Sequence, residues 1–309
     1  MNHSFQIRKL NFKNIMESFL NNLFILLIRL LIHFYVFFVR IFGKQLRGLG
    51  FALRTLRHEF IFKVHGLKFW FNPKCAAAYC VMPGGYWNEP ETHVFLDSVL
   101  DKVTGTVDFI DVGASIGEMV IPLATHKKVR HVTAFEPQFE CASAIERSAQ
   151  LNGIKNLSVV SCAASDKSGT VHFSSSINNP TAASISSADS GKYFDVPRVA
   201  IDEIIPPPSE NTLLVVLIDV EGHEPEVLRG AQRLIKEAQP LIIFEYNATS
   251  KKYFTLEDIQ NILPTSYKFY RLRPNGDGRL DNDLNDTWNC VAVSSASEFA
   301  DICKRLVVQ

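Results

Sequence analysis

The residues best equipped for chemistry stand at the ends of apolar runs. In FIDVGASIGEMV, residues 109–120, Asp111 lies two positions before Gly113, and Ala114 and Gly117 follow. Glycine after a buried run permits a tight turn, and a second glycine lets the next helix begin close to backbone or to a ligand. A dinucleotide fingerprint would read G-x-G-x-x-G and rest pyrophosphate on the helix N-terminus. Here the spacing is G-x-x-x-G with a carboxylate at its head. Such a carboxylate repels phosphate and suits a cationic ligand.

Glu136 ends the next apolar run, where an acidic side chain can accept both hydroxyls of a ribose. A nucleoside beside a cation-seeking carboxylate points to the sulfonium and ammonium of S-adenosylmethionine rather than to NAD. A second set follows later apolar runs: Asp219, Glu221 and His223, then Glu245. In an open sheet, ligands sit beyond the carboxyl ends of the strands, so these side chains would point to the same place as the glycine turn. Methyl transfer from a sulfonium needs an in-line nucleophile and good positioning. A hydroxyl acceptor must also lose its proton, and a nearby base can take it. Asp219 and Glu221 are the first candidates for that work, and His223, which titrates near neutrality, is the third.

Each candidate has a structural alternative. Asp219 or Glu221 can cap the following helix, His223 can be a surface residue, and Glu245 can pair with an arginine. Asp202 is expected to order the loop into the fourth strand. No metal constellation is expected.

The elements that must position these groups are read from hydropathy patterning. Short Val/Ile/Leu-rich runs predict strands at 107–111, 132–136, 157–161, 213–219, 241–245, 267–272 and 288–293. Helical patterns fall near 90–101, 117–126, 138–151, 223–237, 255–263 and 296–305. Their alternation argues for an α/β fold, a mostly parallel sheet covered on both faces. The last two strands have no helix between them, so they should pair as an antiparallel hairpin. Residues 60–72 read as a hairpin around His65 and Gly66, and 174–190 as a long loop. The expected organisation is 1–59 as a basic, hydrophobic helix and linker, 60–89 as hairpin and lid segment, and 90–309 as the main domain.

The chain has 309 residues, 47% of them apolar, with 32 basic and 32 acidic side chains. That excludes a disordered chain and a small disulfide scaffold. Six cysteines without a C-x-x-C pair are expected to be reduced. Residues 1–60 carry nine Lys/Arg against Glu17 and Glu59, a net +7, which leaves −7 on the remainder. An acidic body without a basic stripe speaks against nucleic acid as a partner. Residues 23–42 form an apolar run long enough, as a helix of about 30 Å, to cross a bilayer. Arg29, His33 and Arg40 interrupt it along one stripe, so a spanning and an interfacial helix are both open readings. Either predicts membrane association, with the body on the cytoplasmic side.

Taken in order, several motifs resemble the FkbM family of S-adenosylmethionine-dependent methyltransferases. They are DVGASIG at Asp111, AFEPQ at Ala134, AASDKSG at Ala163, VAIDEII at Val199, LIDVEGHEPEVLRGA at Leu217 and PLIIFEYN at Pro240. The resemblance covers roughly 83–247, and the IDVEG-x-E run is its most specific part. It implies a Rossmann-like class I methyltransferase fold with a seven-stranded sheet, and methylation of a hydroxyl on a small-molecule, sugar or lipid-linked acceptor. By position, Asp111, Gly113, Ala114 and Gly117 would form the cofactor loop, Glu136 would hold the ribose, and Ala164 and Asp166 would lie by the adenine. In the resembled family the region of PGGYWNEPET closes over the cofactor, which implies a lid role for Trp87, Glu89 and Glu91. Leu217 stands where the family commonly has lysine. A non-catalytic methyltransferase-like binding protein is the alternative from another class, ahead of an NAD-dependent oxidoreductase.

Overall fold

Alternating residues in FIFKV and LKFWF give each strand one apolar face, and His65-Gly66 supplies the turn. A computed structural model describes residues 19, 22–38, 41, 53–176, 179–185, 193–274, 276–285 and 287–308. The chain divides into two units, Met1–Asn88 and Glu89–Gln309. In the first, β1 (Phe60–Val64) and β2 (Leu67–Phe71) pair antiparallel, Val64 opposite Leu67. His65 and Gly66 both have positive φ, 47° and 89°, as a tight hairpin turn of this hand requires. Phe62, Phe69, Phe71 and Tyr79 form its buried aromatic cluster.

Residues 22–38 of this unit are helical, with Ile28 and Ile32 buried. A Cβ on Gly84 would lie 2.4 Å from the Ile32 side chain, so the helix packs directly on glycine backbone. No helix among the described residues is long and apolar enough to cross a membrane. The expected membrane placement through 23–42, with a body on the cytoplasmic side, is therefore overturned.

The second unit begins with α1 (Pro90–Leu100), β3 (Thr106–Val112), α2 (Val120–Thr125), β4 (Val129–Phe135), α3 (Phe139–Asn152) and β5 (Leu157–Val160). A smaller sheet follows: β6 (Ala163–Ser165), β7 (Gly169–Ser176), β8 (Asn179–Ile185) and β9 (Tyr193–Ala200), in the order β6-β9-β7-β8. Then come α4 (Ile201–Ile204), β10 (Thr212–Ile218), α5 (Glu224–Arg229), α6 (Gln232–Ala238), β11 (Leu241–Glu245) and α7 (Leu256–Ile262). The chain closes with β12 (Tyr267–Leu272), β13 (Leu280–Asp281), β14 (Asn289–Ser294) and α8 (Phe299–Leu306). The main sheet runs β13-β12-β14-β11-β10-β3-β4-β5. Strands β11, β10, β3, β4 and β5 are mutually parallel, and β14 lies antiparallel between β11 and β12. The order reverses between β3 and β10, where open α/β sheets bind ligands.

Three details differ from the sequence reading. The two-residue β13 adds an eighth strand to the expected seven. The predicted helix at 223–237 is broken into α5 and α6, because a Cβ on Gly230 would meet the Ser165 carbonyl oxygen at 1.9 Å. Helix and β6 therefore meet at backbone distance, and the chain turns there. The predicted loop at 174–190 is largely strand: β7 runs to Ser176 and β8 covers 179–185, while 177–178 and 186–190 lie outside the described residues. Small Ser, Ala and Thr residues carry little hydrophobic periodicity, so no strand pattern for this pairing is legible in the sequence.

Candidate active site

The turn after β3 is set by contact with the turn after β10. Asp219 donates its N–H to the Val112 carbonyl at 2.9 Å, drawing the two strand ends together. Gly113 then sits with φ 88°, and a Cβ there would lie 1.9 Å from the Asp219 carbonyl oxygen. Only glycine fits. The N–H groups of Gly113 and Ala114 both point to the Phe135 carbonyl, at 2.9 and 3.1 Å. Gly117, φ 87°, begins the chain's approach to α2.

Glu136, just past β4, fastens this turn. Its Oε2 accepts the Ser115 N–H and its Oε1 the Gln138 N–H, both at 2.8 Å. Burial pushes its pKa up to about 7 in spite of those two hydrogen bonds. Together with Gly113, Ser115, Ala164, Asp219 and His223 it lines a pocket of about 540 Å³. Asp111 is 3% exposed, and no hydrogen bond reaches its carboxyl among the described residues. Burial raises its pKa well above the usual carboxylate value, and Glu89, Glu136 and Glu118 add to the rise.

The segment after β10 is a second built turn. Glu221 (φ 55°) and Gly222 (φ 108°) take left-handed conformations. The fully buried Glu224 holds them, accepting the Val220 N–H at 3.2 Å and the Gly222 N–H at 2.9 Å. Asp219, Glu221 and Glu245 bring one oxygen each within 4.8 Å of one another, a spacing that could hold a metal ion. Burial, then Glu221, Glu224 and Glu89, push Glu245 up to about 8. Burial first, and then Glu245, Glu89, Glu221 and Glu224, raise Asp219 well above its ordinary value.

Glu89 belongs to the same edge of the sheet. Its Oε2 accepts from Thr92 Oγ1 and from Asn289 Nδ2, each at 3.0 Å, and its N–H donates to Glu118 Oε1 at 3.1 Å. Asn289 lies opposite Glu245 in the β11–β14 register, so Glu89 reaches from that strand end to the start of α2. Burial and Glu118 lift its pKa to about 7. None of the charges that perturb Glu89, Asp111, Glu136, Asp219 or Glu245 is a cation.

At the other end of the pocket, β6 pairs with β9, Ala164 opposite Val199. Asp166 Oδ1 accepts from Ser165 Oγ at 3.1 Å and from Arg198 Nη1 at 3.4 Å. His223 Nε2 lies 3.0 Å from Ser165 Oγ, and its Nδ1 lies 3.5 Å from Glu226 Oε2. Burial lowers the His223 pKa against the pull of Glu226 and Asp166.

The structure thus brings Gly113, Glu136, Ala164, Asp219 and His223 to one pocket wall, with Asp111, Ala114, Gly117, Asp166 and Glu221 outside that wall. Glu245 accepts from Asn247 Nδ2 and Ser250 Oγ, and among the described residues it meets no arginine. Asp202 ties α4 to α6, its carboxylate accepting the N–H groups of Arg233 and Leu234. Leu217 is buried within β10, so the family's lysine position is a core position here. Glu224, Ser165 and Arg198 escaped the sequence reading, and Glu89 was read only as a lid residue. A signal for Glu224 existed, since an acid two residues past a glycine turn can clamp it.

A mostly parallel sheet in this order, with an antiparallel strand set between the last two parallel ones and a glycine turn after β3, defines a class I, Rossmann-like methyltransferase fold. The chain belongs to the FkbM methyltransferase family: the Methyltransferase FkbM domain matches residues 111–271, more than half of its length. Among solved structures it is similar to an FkbM methyltransferase from Methylobacillus flagellatus KT. They share 20% identity over 72% of this chain and 54% of the other, TM-score 0.42, so it spans about half of that relative. It is also similar to an rRNA methylase from Streptococcus thermophilus, 11% identical over 66% of this chain and 95% of the other, TM-score 0.40. A third is M. jannaschii TYW2 in complex with AdoMet, 12% identical over 76% and 84%, TM-score 0.39. No curated protein sequence matches the chain.

Proposed function

We propose that this chain is an S-adenosylmethionine-dependent methyltransferase that methylates a hydroxyl oxygen of a small-molecule, sugar or lipid-linked acceptor. The observation that carries this reading is Asp111, a buried carboxyl with no hydrogen-bond partner among the described residues, whose pKa is raised by burial and by the acids Glu89, Glu136 and Glu118. A buried charge of this kind is strongly disfavoured unless a counter-charge arrives. A ligand with a sulfonium and an ammonium supplies two. A dinucleotide would bring phosphates to the same acids, which disfavours the oxidoreductase alternative.

The neighbouring residues suit the rest of such a donor. Glu136, pinned by two backbone amides, retains lone pairs for ribose hydroxyls, and Ala164 with Asp166 borders the adenine end. Bound there, S-adenosylmethionine supplies a methyl group on a cationic sulfur. Asp219 and Glu245 lie close together with raised pKa values, so a carboxylate of the pair, once ionised, can accept the proton of an acceptor hydroxyl as the oxygen–methyl bond forms and the sulfur–methyl bond breaks. Glu221 and Glu89 add negative potential there, which selects acceptors without phosphate or carboxylate near the reacting oxygen.

Calorimetry of the full chain with S-adenosylmethionine and with NAD tests the reading. The first binds, and Asp111→Asn and Glu136→Gln each weaken it by more than about tenfold, as expected for a lost charge-assisted contact. Binding of NAD instead, or of neither, overturns the assignment. Donor binding without transfer to any of a broad hydroxyl panel would support the non-catalytic alternative.

A further inference from the structure

We infer that His223 is a positioning residue for the donor: it ties the turn that carries Asp219 and Glu221 to Ser165 at the adenine end of the pocket. This rests on the donor-binding reading above.

Ser165 Oγ stands among three polar groups: His223 Nε2 at 3.0 Å, Asp166 Oδ1 at 3.1 Å and Arg198 Nη1 at 3.5 Å. The other ring nitrogen of His223, Nδ1, faces Glu226 Oε2 at 3.5 Å.

The contact between Ser165 and His223 is a link. Ser165 is fully buried and ends β6, and Asp166 follows it. His223 ends the turn held by Glu224 and precedes α5. The same two segments meet again where Gly230 touches the Ser165 carbonyl. The Ser165–His223 bond is thus the polar half of a joint whose other half is backbone packing. Breaking it leaves the fold's main sheet intact and lets the Ala164–Asp166 edge drift from the Asp219 turn.

The test is a double-mutant cycle on S-adenosylhomocysteine binding by the full chain, with thermal unfolding beside it. His223→Ala and Ser165→Ala should each weaken binding about 3- to 10-fold, the span of one neutral hydrogen bond. The double variant should bind no more weakly than either single one. His223→Gln, whose amide can donate from nearly the same place, should restore binding to within about twofold. Unchanged binding in His223→Ala, additive losses, or a Gln variant as poor as Ala overturns the inference. Should His223→Ala fail to fold, Ser165→Ala with His223→Gln gives the same reading. Failure of the wild-type chain to bind removes the functional proposal as well, whereas wild-type binding that is indifferent to His223 removes only this one.

Discussion

Replacing Gly113 by alanine asks whether the meeting of the two strand-end turns builds the site. Alanine at φ 88° incurs the left-handed penalty of about 1–2 kcal/mol. Its Cβ would also start 1.9 Å from the Asp219 carbonyl oxygen, where real contacts stay beyond 3.0 Å, so the turns must separate by more than about 1 Å. Overpacking of that kind adds about 1–3 kcal/mol. The sum, about 2–5 kcal/mol, corresponds to a fall in Tm of roughly 5–20 °C for a unit of this size. Gly153 is the control: it also has positive φ, 68°, yet an added Cβ meets nothing within 4 Å. Gly153→Ala should lose only the left-handed penalty. Displacement of a carboxylate by 1 Å is of the order that costs a hundredfold in an enzyme site, so Gly113→Ala should also lose donor binding or turnover to that extent. Thermal unfolding of both variants, with donor titration, decides. If Gly113→Ala melts with Gly153→Ala and binds donor normally, the contact between the turns does not shape the site.

Other expectations concern charge. Glu89, Glu136 and Glu224 are raised to about 7 and Glu245 to about 8, so the folded state holds more protons than the unfolded one from about pH 4.5 upward. Stability contributed by these groups is present below the unfolded value and lost as pH rises through 7 to 8; the ligand-free Tm should fall across pH 5.5–8.5. A flat or rising profile in differential scanning fluorimetry would contradict it. Affinity for S-adenosylmethionine should move the opposite way, strengthening over the same range as the carboxyls ionise, which titration at several pH values can check. Asp219→Asn should lower turnover by about 10²–10⁴ with donor affinity kept within a few-fold; a rate near wild type would remove Asp219 from proton transfer. Glu224→Gln should destabilise by about 1–3 kcal/mol, because a carboxamide can accept only one of the two N–H groups it now serves. Equilibrium denaturation would measure that loss, and none would mean the turn does not depend on this clamp.

Local chemistry was enough to read the strand runs, the glycine turn and the acids after each strand, because each depends on neighbours only a few residues away. Apolar runs of five to seven residues flanked by glycine or acid are strands whatever surrounds them, and β11 and β12 begin and end where the pattern places them. An apolar stretch alone does not determine what covers it, and the reading of 23–42 as membrane-associated failed: Ile28 and Ile32 are buried, and no helix among the described residues is long and apolar enough to cross a membrane. The β7–β8 pair was missed because its small residues carry little hydrophobic periodicity. The kink at Gly230 was missed because its cause, the Ser165 carbonyl, lies far away in the chain.

The candidate site divides in the same way. Amino-acid order alone determined which acids lie at which strand ends, and hence that Asp111, Glu136, Asp219 and Glu245 gather at one edge of the sheet. It did not determine what each acid touches. That no hydrogen bond reaches the Asp111 carboxyl among the described residues, that Asp219, Glu221 and Glu245 converge, and that Glu224 is a clamp all depend on distances through space. His223 is the plainest case: its nearest polar partner, Ser165, is 58 residues away. A side chain's protonation and role follow from the few atoms within about 4 Å of it, and tertiary packing alone chooses those atoms.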